Sequence, residues 1–138
     1  MSVVESERGE TKMAWWKSVT KLNAYTIKAV TNEKVIPKRY RWIIAQQIID
    51  SAQSMLINAI KANSVYVKEE FKQSDYQLRR KFQKLAYAET HTMLTLIDVA
   101  YKTFATINDK KHKTWIGLIL VAQNDLKNWI ENDSKRYG

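Results

Sequence analysis

Three glycines (Gly9, Gly117, Gly138) and one proline, Pro37, serve the whole chain. Tight reversals draw on glycine for positive φ and on proline for a preset φ, so a sandwich or barrel needs them repeatedly. Helices need only a few connections. The chain is therefore predicted to be all-α. At 138 residues it has the length of one domain, and 45% apolar with 11% aromatic residues is enough for a packed core.

Apolar spacing supports that prediction. From about Lys12 to Thr31, Trp15, Val19, Leu22, Thr26 or Ala29, and Val30 recur at steps of three and four, the helical period. Asn32 to Pro37 breaks the pattern, because proline disfavours a helical residue before it and tolerates the first turn after it. A second helix is predicted from about Lys38 to Ser64, with Tyr40, Ile44, Ile48, Ala52, Met55, Ala59 and Ala62 on one stripe. After a connector, Ser74-Asp75-Tyr76-Gln77 has capping-box form. The third helix is expected to bury Leu78, Phe82, Leu85, Glu89, Met93, Leu96, Ala100 and Phe104. Past Asn108-Asp109 a fourth runs to about Ser134, with Trp115, Ile119, Ala122, Leu126 and Trp129 in register.

Four long helices with short links predict an antiparallel four-helix bundle over residues 12–138, behind a flexible polar leader over 1–11. Ile43, Ile49, Leu56, Ile97, Val99, Ile116 and Leu120 exceed what one internal seam needs. That surplus predicts a second apolar surface and a homo-oligomer. Gly117, within a helix, predicts close helix–helix approach.

Charge is uneven. Between Thr11 and Arg41, Lys12, Lys17, Lys21, Lys28, Lys34, Lys38, Arg39 and Arg41 stand against Glu33 alone, which is +7 of the net +9. Trp15, Trp16, Tyr25, Tyr40 and Trp42 are interleaved with them. Lys17, Lys21 and Lys28 share a helix face, and Arg79, Arg80, Lys81 and Lys84 cluster early in the third helix. Lys110, Lys111, His112 and Lys113 occupy the first turn of the fourth, where cations oppose the helix dipole and phosphate would compensate them. Together these residues can track a phosphate backbone without reading bases. The plainer alternative is a set of solvated helix faces, each cluster being weak by itself.

Catalytic patterns are missing. With no cysteine, disulfides and thiolate chemistry are excluded, which suits a reducing cytoplasm. His91 and His112 are the only histidines, and no Glu-x-x-His pair, nucleophile elbow or phosphate-cradling glycine loop is present. Asp50, Glu89, Asp98 and Asp125 lie in apolar helices, either as metal ligands or as structural acids. The second reading is favoured, since buried carboxylates usually persist by pairing. The longest apolar run, Trp115 to Ala122, is far too short to span a membrane. The chain is expected to be no enzyme and to use no cofactor or metal.

Ile36-Pro37-Lys38-Arg39-Tyr40-Arg41-Trp42, then Gln47-x-Ile49, Ser51 and Ala62-Asn63-Ser64, resemble the opening of a bacterial four-helix group. Leu78 to Gln83, Leu96 to Tyr101, and Trp129-Ile130 with Asp133 to Arg136 continue the likeness, which spans roughly residues 19–137. The group is the accessory variability (Avd) proteins of diversity-generating retroelements. Bundle proteins encoded in intervening sequences of bacterial large-subunit ribosomal RNA genes share the architecture. The resemblance implies a pentameric barrel that binds a reverse transcriptase and its RNA or cDNA and supports cDNA synthesis without being an enzyme. It places the basic surface on Lys38, Arg39, Arg41, Arg79 and Arg80. Lys17, Lys21, Lys28, Lys84, Lys110, Lys111 and Lys113 rest on the charge argument alone. A helical adaptor for an acidic protein partner is the rival expectation.

Overall fold

The first, second and fourth predicted helices bury the apolar stripes that their spacing predicts, and the third departs from its own. The computed structural model describes residues 14–138; the expected leader, with Lys12 and Met13, lies outside the described residues. Helix α1 (Ala14–Thr31) buries Trp15, Val19, Leu22, Thr26 and Ala29. Asn32 ends it: its side-chain oxygen accepts from Lys34 N at 2.9 Å, and its carbonyl accepts from Val35 N at 2.9 Å and Ile36 N at 3.1 Å.

The predicted second helix opens differently. Lys38–Tyr40 form a 3-10 turn and Arg41–Ala45 a π turn before α2 (Gln46–Ser64) begins. Tyr40 is half-buried, and Ile44, Ile48, Ala52, Met55, Ala59 and Ala62 are buried along the predicted stripe. A 3-10 turn at Glu69–Phe71 precedes α3 (Lys72–Thr103), and α4 (Asp109–Tyr137) completes the chain. All regular structure among the described residues is helical. Helices α2 and α3 end on extended residues, Val65 and Phe104, and no described residue has positive φ. Few glycines suffice because no helix ends in a left-handed cap.

Two local expectations fail. Helix α3 starts two residues before Ser74, whose hydroxyl donates back to the Phe71 carbonyl at 3.2 Å and caps nothing. Asp75 accepts instead from Lys68 N at 3.0 Å. The true cap is Asn108, whose side chain accepts from Lys111 N at 2.8 Å at the start of α4.

The buried face of α3 keeps Met93 and Ala100 of the predicted one but is rotated from it over the first half of the helix. It consists of Tyr76, Gln83, Ala86, Thr90, Met93, Ile97 and Ala100, leaving Leu78, Leu85 and Val99 exposed. Gln83 and Thr90 are buried with cross-helix partners: Gln83 Nε2 donates to Asp133 at 2.8 Å, its Oε1 finding no partner among the described residues, and Gln123 Nε2 donates to Thr90 at 2.9 Å. A polar residue that is tied across helices packs inside while a leucine stays out.

Helix α1 packs on α2 and α4, α2 on α3, and α3 on α4, around one apolar core. Asn23 Nδ2 donates to the Ala52 carbonyl at 2.9 Å, tying α1 to α2. Trp15 stacks on Trp129 at 4.5 Å, while Trp115 Nε1 donates to Thr26 at 3.1 Å, tying α1 to α4. Gly117 is exposed with open space where a Cβ would stand, so within the subunit no close approach explains it. Of the surplus apolar residues, Ile97 is buried, Ile49, Leu56 and Ile116 are half-buried, and Ile43, Val99 and Leu120 are exposed. Among the described residues, no helix is long and apolar enough to cross a membrane.

Candidate nucleic-acid interface

Two connections meet at one end of the bundle. Val35 and Ile36 from the first, and Phe104 and Ile107 from the third, are buried together in the core. The Thr106 hydroxyl donates to the Val35 carbonyl, and the Tyr40 ring lies 4.6 Å from that of Phe104. Tyr40 thereby anchors the 3-10 turn, and the π turn turns Ile44 and Ala45 inward. Their neighbours point out: Trp42 is 74% exposed and Ile43 69%. Around them Lys38, Arg39 and Arg41 are exposed, with the Arg39 guanidinium 4.9 Å from the Tyr40 ring.

More cations gather at this Trp42 end. Lys28 lies in the last turn of α1, and Lys110 and Lys113, both exposed, in the opening turns of α4. Lys111 is half-buried, its ammonium 5.8 Å from the Tyr25 ring centroid. His112 stacks on Tyr101 at 3.9 Å with Nε2 3.8 Å from Asp98. The carboxylates here are mostly engaged. Asp98 pairs with Lys102 at 2.9 Å, and Asp109 accepts from the Tyr101 hydroxyl. That hydrogen bond, with lesser contributions from burial and the nearby carboxylates, raises the Tyr101 pKa; burial alone raises that of Tyr25. Among the described residues, Lys28, Lys34, Lys38, Arg39, Arg41, Lys110 and Lys113 enter no ion pair.

The arginine cluster of α3 has a different character. Arg79 has an 11% exposed side chain, pairs with the buried Asp133, donates to the Val65 carbonyl at 3.3 Å and lies 5.3 Å from the Trp129 ring. Arg80 donates to the Tyr76 hydroxyl at 2.9 Å. Of the cluster, Lys81 and Lys84 are exposed. The resemblance and the local charge cluster both place Arg79 on the basic surface, but its charge is committed to Asp133, the buried acid that inspection of α3 alone misses. Lys17 and Lys21 are exposed on α1 beside a shallow groove with Ser18, Val121 and Asp125. Lys17 and Lys28 lie roughly 16 Å apart along one face of α1, so they would meet different stretches of a bound strand.

The acids set aside as metal candidates are dispersed. Asp50 accepts from Gln46 at 2.8 Å, Glu89 from Ser51 at 2.9 Å, and Asp98 pairs with Lys102. Asp125 lines a cleft of about 300 Å³ with Trp15, Asn128, Trp129, Asn132, Asp133 and Arg136. Among the described residues, no three His, Asp or Glu side chains lie close enough together to hold a metal. No protein-family model, curated protein or solved structure matches the chain.

Proposed function

We propose that the protein is a non-enzymatic basic scaffold that binds structured RNA or cDNA and docks a reverse transcriptase, as the Avd-like resemblance implies. In this reading it works in the cytoplasm, without cofactor, and supports cDNA synthesis in a diversity-generating retroelement. The observation carrying it is the group of exposed cations without carboxylate partners at the Trp42 end: Lys28, Lys38, Arg39, Arg41, Lys110 and Lys113. Such a group repels itself and gains stability from a polyanion, whose condensed counterions it releases. Lys111 belongs to the same end, while Lys17, Lys21, Arg80 and Lys84 carry further positive charge toward the other ends of α1 and α3. Arg79 contributes to stability.

The subunits are proposed to be antiparallel bundles assembled into a pentameric barrel. Supporting this are exposed apolar residues on two outer faces: Ile57, Ile60, Leu78, Leu85 and Val99 on α2 and α3, and Leu120 and Val121 on α4. Such patches gain from burial against a second copy.

Light scattering with and without a structured RNA, across a salt series, tests both parts. A pentamer-sized particle that grows on RNA addition at low salt, and less at high salt, is expected. Reversing Lys38, Arg39 and Arg41 together to Glu should flatten the log–log salt slope by about two to three. A monomer indifferent to RNA would leave the acidic-partner adaptor as the better reading.

A further inference from the structure

We propose that Trp42 is a stacking platform for an unpaired nucleobase, so that the Trp42 end prefers single-stranded over duplex nucleic acid. This inference rests on the nucleic-acid reading above and narrows its ligand.

Five tryptophans occur in the chain. Trp15, Trp115 and Trp129 are core residues, and Trp16 packs edge-on against Trp15 at 5.8 Å. Trp42 alone among them stacks on no other described aromatic ring and stands largely in solvent. Its exposure is built into the backbone. Tyr40 is pinned against Phe104, and Ile44 and Ala45 are held in the core. The π turn between them accommodates an additional residue, which leaves Trp42 and Ile43 outside the stripe that continues through Ile48. Gln47 Nε2 donates to the Trp42 carbonyl at 3.3 Å, closing the backbone beneath the indole. The ring therefore projects from a fixed turn.

The surroundings select the occupant. From Lys34 to Ile49 every charged side chain is a cation: Lys34, Lys38, Arg39 and Arg41. An apolar partner face would have to bury the ring among desolvated charges, and a second copy using the same patch would bring like charges together. An unpaired strand supplies both complements, phosphates for the cations and a π face for the indole. A duplex satisfies the cations but keeps its bases stacked within itself, so the ring gains nothing from it.

Fluorescence anisotropy of a labelled single-stranded RNA without self-complementarity, and of the duplex made by annealing its complement, tests this at matched salt. Trp42→Ala should weaken the single strand by on the order of ten-fold and leave the duplex nearly unchanged. Trp42→Phe, which keeps a ring, should restore most of the loss. Single-strand addition should also quench intrinsic tryptophan fluorescence in the wild type but not in Trp42→Phe. Equal weakening of both RNAs by Trp42→Ala would overturn the stacking assignment while leaving nucleic-acid binding intact. No effect on either would overturn it too, and assign the ring to a protein contact. If the wild type bound neither RNA at low salt, the nucleic-acid reading itself would fall, and this inference with it.

Discussion

The two ends of the bundle hold the same kinds of side chain and use them in opposite ways. Where the first turn of α1 meets the last turns of α4, Arg79 is enclosed. Asp133 neutralises it, Gln83 shares that carboxylate, and Trp129 covers the guanidinium while stacking on Trp15. At the Trp42 end, Arg39 and Arg41 face solvent with no ion-pair partner and the indole lies uncovered. Net charge therefore says little about where a polyanion would bind. The useful quantity is how much of the charge the fold has already spent on its own carboxylates: Arg79 is spent on Asp133, whereas at the Trp42 end Lys28, Lys38, Arg39, Arg41, Lys110 and Lys113 enter no ion pair among the described residues.

The comparison breaks most readily at Asp133. Asp133 is 5% exposed, and its carboxylate holds both Arg79 and Gln83. Asp133→Ala leaves a guanidinium buried without its counter-ion, and we expect it to cost about 3–5 kcal/mol in urea denaturation. A loss under about 1 kcal/mol would mean that Arg79 is as uncommitted as Arg39. The Trp42 end depends on smaller ties. Asn108→Ala removes the acceptor for Lys111 N and is expected to cost about 1 kcal/mol, with hydrogen exchange accelerating in the first turn of α4. An unchanged exchange pattern would show that the cations, not the cap, order that turn.

Sequence periodicity places α1, α2 and α4 well because their stripes are made mostly of Trp, Val, Ile, Leu, Met and Ala, whose burial needs no specific partner. The first half of helix α3 defeats it. Leu78 and Leu85 look like core, whereas Gln83 and Thr90 look like surface. The residues that reverse this, Asp133 and Gln123, lie 50 and 33 positions away in the chain. The same long-range partner removes Arg79 from the charge cluster that its neighbours suggest. The basic character of the site is legible in Lys38-Arg39-Tyr40-Arg41-Trp42 as it stands. The outward presentation of Trp42 is not, since it depends on a π turn set by the packing of Tyr40 on Phe104.

Between the ends, α4 offers a test of its middle. Gly117 sits in a helix with free space at its Cβ position, so Gly117→Ala should stabilise an isolated subunit by about 0.5–1 kcal/mol. A destabilised protein, or one that scatters as a smaller particle, would mean that a neighbouring subunit approaches this backbone closely. Either result is informative about the outer face carrying Leu120 and Val121.

The smallest expected effect is the most discriminating one. Removing the Trp129 ring, 5% exposed and stacked on Trp15, should cost about 3–5 kcal/mol. Removing that of Trp42 should change stability by no more than about 0.5 kcal/mol, since a solvent-facing ring has little packing to lose. Paired urea titrations of Trp129→Ala and Trp42→Ala, at several protein concentrations, measure the contrast. If Trp42→Ala loses more than about 1 kcal/mol, and the loss grows with protein concentration, the indole is buried between subunits. The two ends would then both be spent on structure, and the search for a polyanion site would move to Lys17, Lys21 and the exposed flank of α1.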